Sequence, residues 1–145
     1  MLRGIGIGAA GLVAGCIKDA SDPGSDAAPS GPVVTMCGTN ACIDLTNPRN
    51  ANLASPGGSL IIDAAGDRII VVRTSDTAFA ATSDVCTHAG CDVFYVETSM
   101  ILQCPCHGSL FSLTGSVIRG PALKPLMAYA TMFDAATNTL TVVLV

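Results

Sequence analysis

The sequence predicts an all-β domain of antiparallel strands, on three observations. From about Val34 onward the large apolar residues fall in short β-branched runs, each bounded by Gly, Pro, Asn, Asp or Ser. After residue 15 no stretch of useful length repeats its apolar residues at helical spacing. The composition is 50% hydrophobic and 12% charged with no Trp, which provides a real but mostly aliphatic core, suited to strands rich in Val and Ile.

Residues 1–15 come first, with Arg3 ahead of an apolar run from Ile5 to Gly15. Such a run is too short to cross a bilayer core, which takes about 20 helical residues. It reads as a targeting segment. Its end, Val13-Ala14-Gly15-Cys16, resembles the lipobox of bacterial lipoproteins, which implies lipidation of Cys16 and its exposure as the mature N-terminus. Residues 16–35 turn polar and small, the composition of a flexible linker. Such a tether would span roughly 25 Å root-mean-square.

The domain proper is expected over 36–145. Ala41–Leu45 is a weak first strand, followed by an irregular Asn/Pro-rich loop from Thr46 to Gly58. Ser59–Asp63 and Arg68–Thr74 flank a hairpin turn at Ala64–Asp67, and Thr77–Thr82 follows. Val93–Val96 and Met100–Gln103 form a hairpin turning at Glu97–Ser99, and Leu110–Leu113 leads to a turn at Thr114-Gly115. The prolines of Gly120–Leu126 argue against a central strand there. Ala128–Phe133 and Thr139–Val145 make the last hairpin.

Both histidines and four of the seven cysteines sit in two loops, Cys86-Thr87-His88-Ala89-Gly90-Cys91 and Cys104-Pro105-Cys106-His107-Gly108-Ser109. In each loop one Cys and the His are close enough to be co-ligands, Cys86 with His88 and Cys104 with His107. The intervening segment is long enough for one hairpin to bring the two pairs together. Two thiolates and two imidazoles could hold a tetrahedral zinc in a structural module. Zinc modules usually group Cys with Cys and His with His, whereas each loop here offers a mixed pair. Mixed pairs suit two metals side by side, one iron taking Cys86 and Cys104 and the other His88 and His107.

With both motifs whole, the chain resembles the Rieske iron–sulfur proteins. The resemblance implies a Rieske fold, an antiparallel β base with a cluster-binding subdomain at about 84–116. It implies a [2Fe–2S] cluster ligated by Cys86, His88, Cys104 and His107, and a Cys91–Cys106 disulfide. That disulfide needs an oxidising compartment, which favours a second one between Cys37 and Cys42. Gly120-Pro121 matches a Gly/Pro segment that packs over the cluster in respiratory members. Ser109 matches the Ser that donates to a bridging sulfide in high-potential members. Phe111 stands where those proteins carry Tyr, so one hydrogen bond is expected to be missing. Gly90 and Gly108 are expected to allow tight turns near the sulfides.

The function expected from this resemblance is one-electron transfer outside the cytoplasm, on the periplasmic side of the cell envelope, from a membrane-anchored lipoprotein. A c-type cytochrome or an oxidoreductase subunit would be the redox partner. A quinol-oxidising role, as the Rieske subunit of a quinol–cytochrome c reductase or the small subunit of an arsenite-oxidase-like enzyme, would place His107 at the quinol. Cytoplasmic ferredoxins of ring-hydroxylating dioxygenases lack the equivalent of Cys91–Cys106, which disfavours that class. The net charge of −4 gives no reason to expect nucleic acid.

Overall fold

The computed structural model describes residues 31–144. The expected targeting segment, Cys16 and the expected linker as far as residue 30 lie outside the described residues. Eleven strands run β1 Thr35–Cys37, β2 Asn40–Asp44, β3 Ser59–Ala64, β4 Asp67–Arg73, β5 Phe79–Ser83, β6 Phe94–Val96, β7 Ile101–Gln103, β8 Leu110–Ser112, β9 Val117–Arg119, β10 Ala128–Asp134 and β11 Thr139–Val143. They pair antiparallel into a seven-stranded sheet in the order β1-β2-β11-β10-β5-β4-β3 and a four-stranded sheet in the order β6-β7-β8-β9. The small sheet is inserted in sequence between β5 and β10. The all-β expectation holds, and among the described residues no helix is long and apolar enough to cross a membrane.

The unbroken run Ile69-Ile70-Val71-Val72 in β4 has no polar alternation because both faces of that strand are covered. Successive strand residues point to opposite faces. Ile69 and Val71 join Ala41, Ile43, Ile62, Leu140 and Val142 in one apolar core. Ile70 and Val72 join Val93, Leu102, Phe111, Leu126 and the thiols of Cys86 and Cys104 in a second. β4 is thus a shared wall, and each fully buried Val or Ile on it contributes about 1.5–3 kcal/mol of burial. The wall ties the small sheet to the large one.

Three local features depart from the expected elements. β1 adds a short edge strand, paired Thr35↔Cys42 with β2 and closed by a disulfide between Cys37 and Cys42. Its residues are all exposed, so no apolar pattern announced it. The loop after β2 contains a 3-10 turn, Pro48–Leu53, started by Pro48 with the Asn47 side chain accepting from the Arg49 N–H. Inside it the buried Asn50 amide bonds both the N–H and the C=O of Val33 and the C=O of Asp44, a local network with no period to read. β9 pairs with β8 at the edge of the small sheet, immediately before the Gly/Pro segment. Edge placement is where a strand beside prolines is tolerated.

Candidate metal centre

The hairpin β6–β7 brings the two Cys/His loops together. Its register pairs Phe94 with Gln103, so the end of the first loop and the start of the second leave the hairpin side by side. Glu97–Ser99 forms the turn, as expected, with Met100 in the left-handed region at φ 52°. A bridge between Val85 and Asp92 closes the base of the first loop.

Both loops are built on one hydrogen-bond plan. In the first, Cys86 N–H donates to Cys91 O at 2.7 Å and Gly90 N–H donates to Cys86 O at 2.9 Å. In the second, Cys104 N–H donates to Ser109 O at 2.9 Å and Gly108 N–H donates to Cys104 O at 3.1 Å. The fifth residue of each loop must turn with positive φ, and Gly90 (74°) and Gly108 (77°) supply it. An ideal Cβ on Gly90 would meet nothing within 4 Å, so the need there is conformational rather than spatial.

This plan sorts the side chains by depth. Cys86 and Cys104 are buried, 2% and 1% exposed, and are the free thiols among the described residues. His88 and His107 are exposed and face each other edge to face, with ring centroids 4.7 Å apart. Cys91 and Cys106 are joined in a disulfide that ties the loops across their rim, Cα to Cα 6.5 Å. The Cys104 sulfur lies within 4.8 Å of both sulfurs of that bridge. Disulfide sulfurs do not serve as thiolate ligands, so the bridge flanks the centre.

The electrostatics suit a cation between the inner sulfurs. Burial pushes the Cys104 thiol up, and the Cys86 sulfur beside it pushes the same way, while the backbone N–H groups of Cys106 and His107 pull it down. Left alone, the buried Cys104 thiol resists ionising; a bound metal ion would reverse that balance and hold its ligand sulfurs as thiolates. Two sulfurs inside and two imidazoles at the rim could therefore hold a [2Fe–2S] group.

The Gly120–Leu126 segment lies across both loops. Ala122 N–H donates to Ser109 Oγ at 3.0 Å, and Thr87 Oγ1 donates to Lys124 O at 2.6 Å. The Gly120–Pro121 peptide is cis. Arg119 places Nε and Nη2 at 3.3 and 3.1 Å from Gly108 O. Ser109 and Phe111 are fully buried, and Phe111 packs in the same core as the two thiols.

Beneath the first loop lies a contact that sequence reasoning missed. Asp84 is fully buried, and its Oδ2 lies 2.7 Å from Arg68 Nη2; Arg68 Nη1 also bonds Asp92 Oδ1 at 2.7 Å. Burial pushes the Asp84 carboxyl up and Arg68 pulls it back only in part. The backbone adds Asp84 N–H to Arg68 O at 3.0 Å and Val93 N–H to Asp84 O at 2.7 Å. The network hangs both ends of the loop on β4. One Asp between Ser83 and Val85 carries no pattern that would single it out.

The comparisons with known proteins agree with this geometry. The family model for the Rieske [2Fe–2S] domain matches residues 48–130. The cytochrome b6-f complex iron–sulfur subunit of Chlorobaculum thiosulfatiphilum is 39% identical over 87 residues, which are 60% of this chain and 48% of that subunit. The chain therefore spans about half the length of that relative. The crystal structure of the plasma membrane Rieske protein PetC3 from the cyanobacterium Synechocystis superposes with a TM-score of 0.54 at 32% identity, over 59% of this chain and 86% of that one. The ferredoxin of carbazole 1,9a-dioxygenase from Nocardioides aromaticivorans gives 0.53 at 29% identity, over 61% and 86%. A family match over more than half the chain, centred on paired Cys/His loops inserted in a β base, has one reading: this chain belongs to the Rieske [2Fe–2S] family, whose domain binds that cluster and transfers electrons.

Proposed function

We propose that the chain is a one-electron carrier working outside the cytoplasm, with Cys86 and Cys104 holding one iron of the cluster and His88 and His107 the other. The observation that carries this is the sorting by depth, with buried sulfurs behind a pair of exposed imidazoles 4.7 Å apart. The bound cluster would supply uptake and release of a single electron. Its histidine side, where both imidazoles are exposed, is where a partner can approach. An imidazole that gives one nitrogen to iron keeps the other for a proton, so His107 can take part in joint electron and proton uptake.

Two observations support a site in the cell envelope. The Cys91–Cys106 and Cys37–Cys42 bridges are of a kind that persists in oxidising compartments. Cys16, after an apolar run and ahead of a linker composition, suits a lipid anchor on the periplasmic side of a membrane. The partner would be a c-type cytochrome or an oxidoreductase subunit. A second reading, the Rieske subunit of a quinol-oxidising complex, is favoured by the likeness to a cytochrome b6-f subunit.

The test is made in the native host, with parent and Cys16→Ala proteins followed by fractionation and by protease treatment of spheroplasts. The parent is expected in the membrane fraction and open to external protease, and Cys16→Ala in the soluble fraction. A parent protein that is soluble and protease-protected would overturn the reading.

A further inference from the structure

The segments that surround the two imidazoles differ in character from the rest of the chain. Across Cys86–Cys91, Cys104–Ser109 and Ile118–Met127 the charged side chains are Arg119 and Lys124, both exposed. Every Asp and Glu among the described residues lies outside these segments, although the chain as a whole carries a net charge of −4. Among the described residues neither Arg119 nor Lys124 makes an ion pair; the ion pairs there all belong to Arg68. The rim of the centre is cationic on an acidic protein.

An apolar side chain stands between those charges. Leu123 is 93% exposed, the most exposed of the large hydrophobic residues. It is held in place from both sides, because Ala122 is bonded to Ser109 of the second loop and Lys124 to Thr87 of the first. Leu123 therefore straddles the loops. The loops themselves carry Thr, Ala, Gly, Ser and one Pro besides the cysteines and imidazoles, so Leu123 is the large aliphatic group of this rim. Ile118 and Met127, 56% and 54% exposed, extend apolar surface from the ends of the same segment. An apolar centre with a charged margin is the anatomy of a protein interface.

We propose that Leu123, Lys124 and Arg119 form the docking face for a redox partner whose own cofactor edge is apolar and ringed by carboxylates. The inference rests on the carrier reading above and adds the partner's chemistry. Lys124 and Arg119 steer the encounter, since charge complementarity acts mainly on association rate. Leu123 seats in the partner's apolar edge and brings the imidazoles against it. Steering is local: at physiological salt the screening length is about 8 Å, so a carboxylate-ringed partner feels these two cations more than carboxylates far across the molecule.

The experiment uses the cluster-loaded protein, reduced, and follows by stopped flow its oxidation by two small redox proteins of opposite charge, an acidic blue-copper protein and a basic c-type cytochrome. Parent, Lys124→Glu and Leu123→Ser are compared over a range of ionic strength. Midpoint potentials of all three are measured so that driving force is accounted for. The acidic protein should react faster with the parent, at a rate that falls as salt rises. Lys124→Glu should slow it by about tenfold at low salt and little at high salt. Leu123→Ser should slow it several-fold at every salt concentration. A basic cytochrome that reacts faster, with Lys124→Glu without effect, would overturn the proposal, as would salt-independent rates for both proteins. A reduced protein without the electron paramagnetic resonance signal of a [2Fe–2S] cluster would instead overturn the carrier reading itself.

Discussion

The hydroxyl oxygen of Ser109 accepts a hydrogen bond from the backbone N–H of Ala122 at 3.0 Å, fully buried, across 13 residues of sequence. A serine oxygen that accepts there keeps its own proton to give elsewhere. The contact thus joins the Gly/Pro segment to the second loop and leaves the hydroxyl proton available to the sulfur side of the centre.

Ser109→Ala should lower the midpoint potential of the loaded protein by tens of millivolts. A donor aimed at cluster sulfur favours the more negative, reduced form. A hydrogen bond contributes about 0.5–1.5 kcal/mol net, and more to a charged acceptor; a difference of about 1.4 kcal/mol between the two redox states corresponds to ~59 mV for one electron. The same change leaves the buried Ala122 N–H without its partner, at a cost of about 1–3 kcal/mol in stability. Film voltammetry and thermal melting read the two effects separately. An unchanged midpoint with a lowered Tm would mean that the hydroxyl serves only Ala122.

Phe111→Tyr tests the neighbouring position. Phe111 is fully buried in the core that contains Cys86 and Cys104, so a hydroxyl on its ring enters the apolar space behind the sulfurs. The expected result is a midpoint raised by an amount similar to the loss in Ser109→Ala, tens of millivolts. A midpoint that stays put, with stability reduced, would show a buried hydroxyl with no acceptor.

The Cys91–Cys106 bridge ties two loops whose tips are otherwise exposed. Replacing both residues by Ser should allow cluster assembly but speed its loss, read as bleaching of the visible absorbance during incubation. Equal rates of bleaching in variant and parent would show that the Gly120–Leu126 segment alone holds the loops.

Arg68→Gln should destabilise the domain by about 1–3 kcal/mol. It leaves Asp84 buried without its cation, and removing one partner of a fully buried pair costs about 3–5 kcal/mol. The cost is reduced here because the Arg68 side chain is 42% exposed and water can partly replace it. Chemical denaturation of parent and variant measures the difference. Equal stabilities would mean that the backbone bonds of Asp84 carry the anchorage alone.

The strands that sequence disclosed most clearly are those with a one-sided or unbroken apolar pattern. β3, β4, β10 and β11 were legible because burial leaves its mark on every second residue, or on every residue of the shared wall in β4. β1 and β9 were not, being three-residue edge strands with mostly exposed side chains. The centre was legible because its chemistry demands rare residues at fixed offsets, and Gly90 and Gly108 follow from the turns those offsets require. Arg68, Asp84, Thr87 and Lys124 were not. Their roles depend on contacts between segments distant in sequence, and Thr87 and Lys124 meet through a backbone carbonyl, which any residue could supply.

The proposed cluster ligation uses two thiolates and two imidazoles of these loops. Its most direct test is low-temperature electron paramagnetic resonance of the reduced protein, with electron–nuclear double resonance on a sample carrying nitrogen-15 in histidine. A one-electron cluster signal is expected, with hyperfine coupling from two histidine nitrogens, one of which disappears in His107→Cys. A protein that stays silent on reduction and contains one zinc per chain would contradict it, as would a cluster signal without histidine nitrogen coupling.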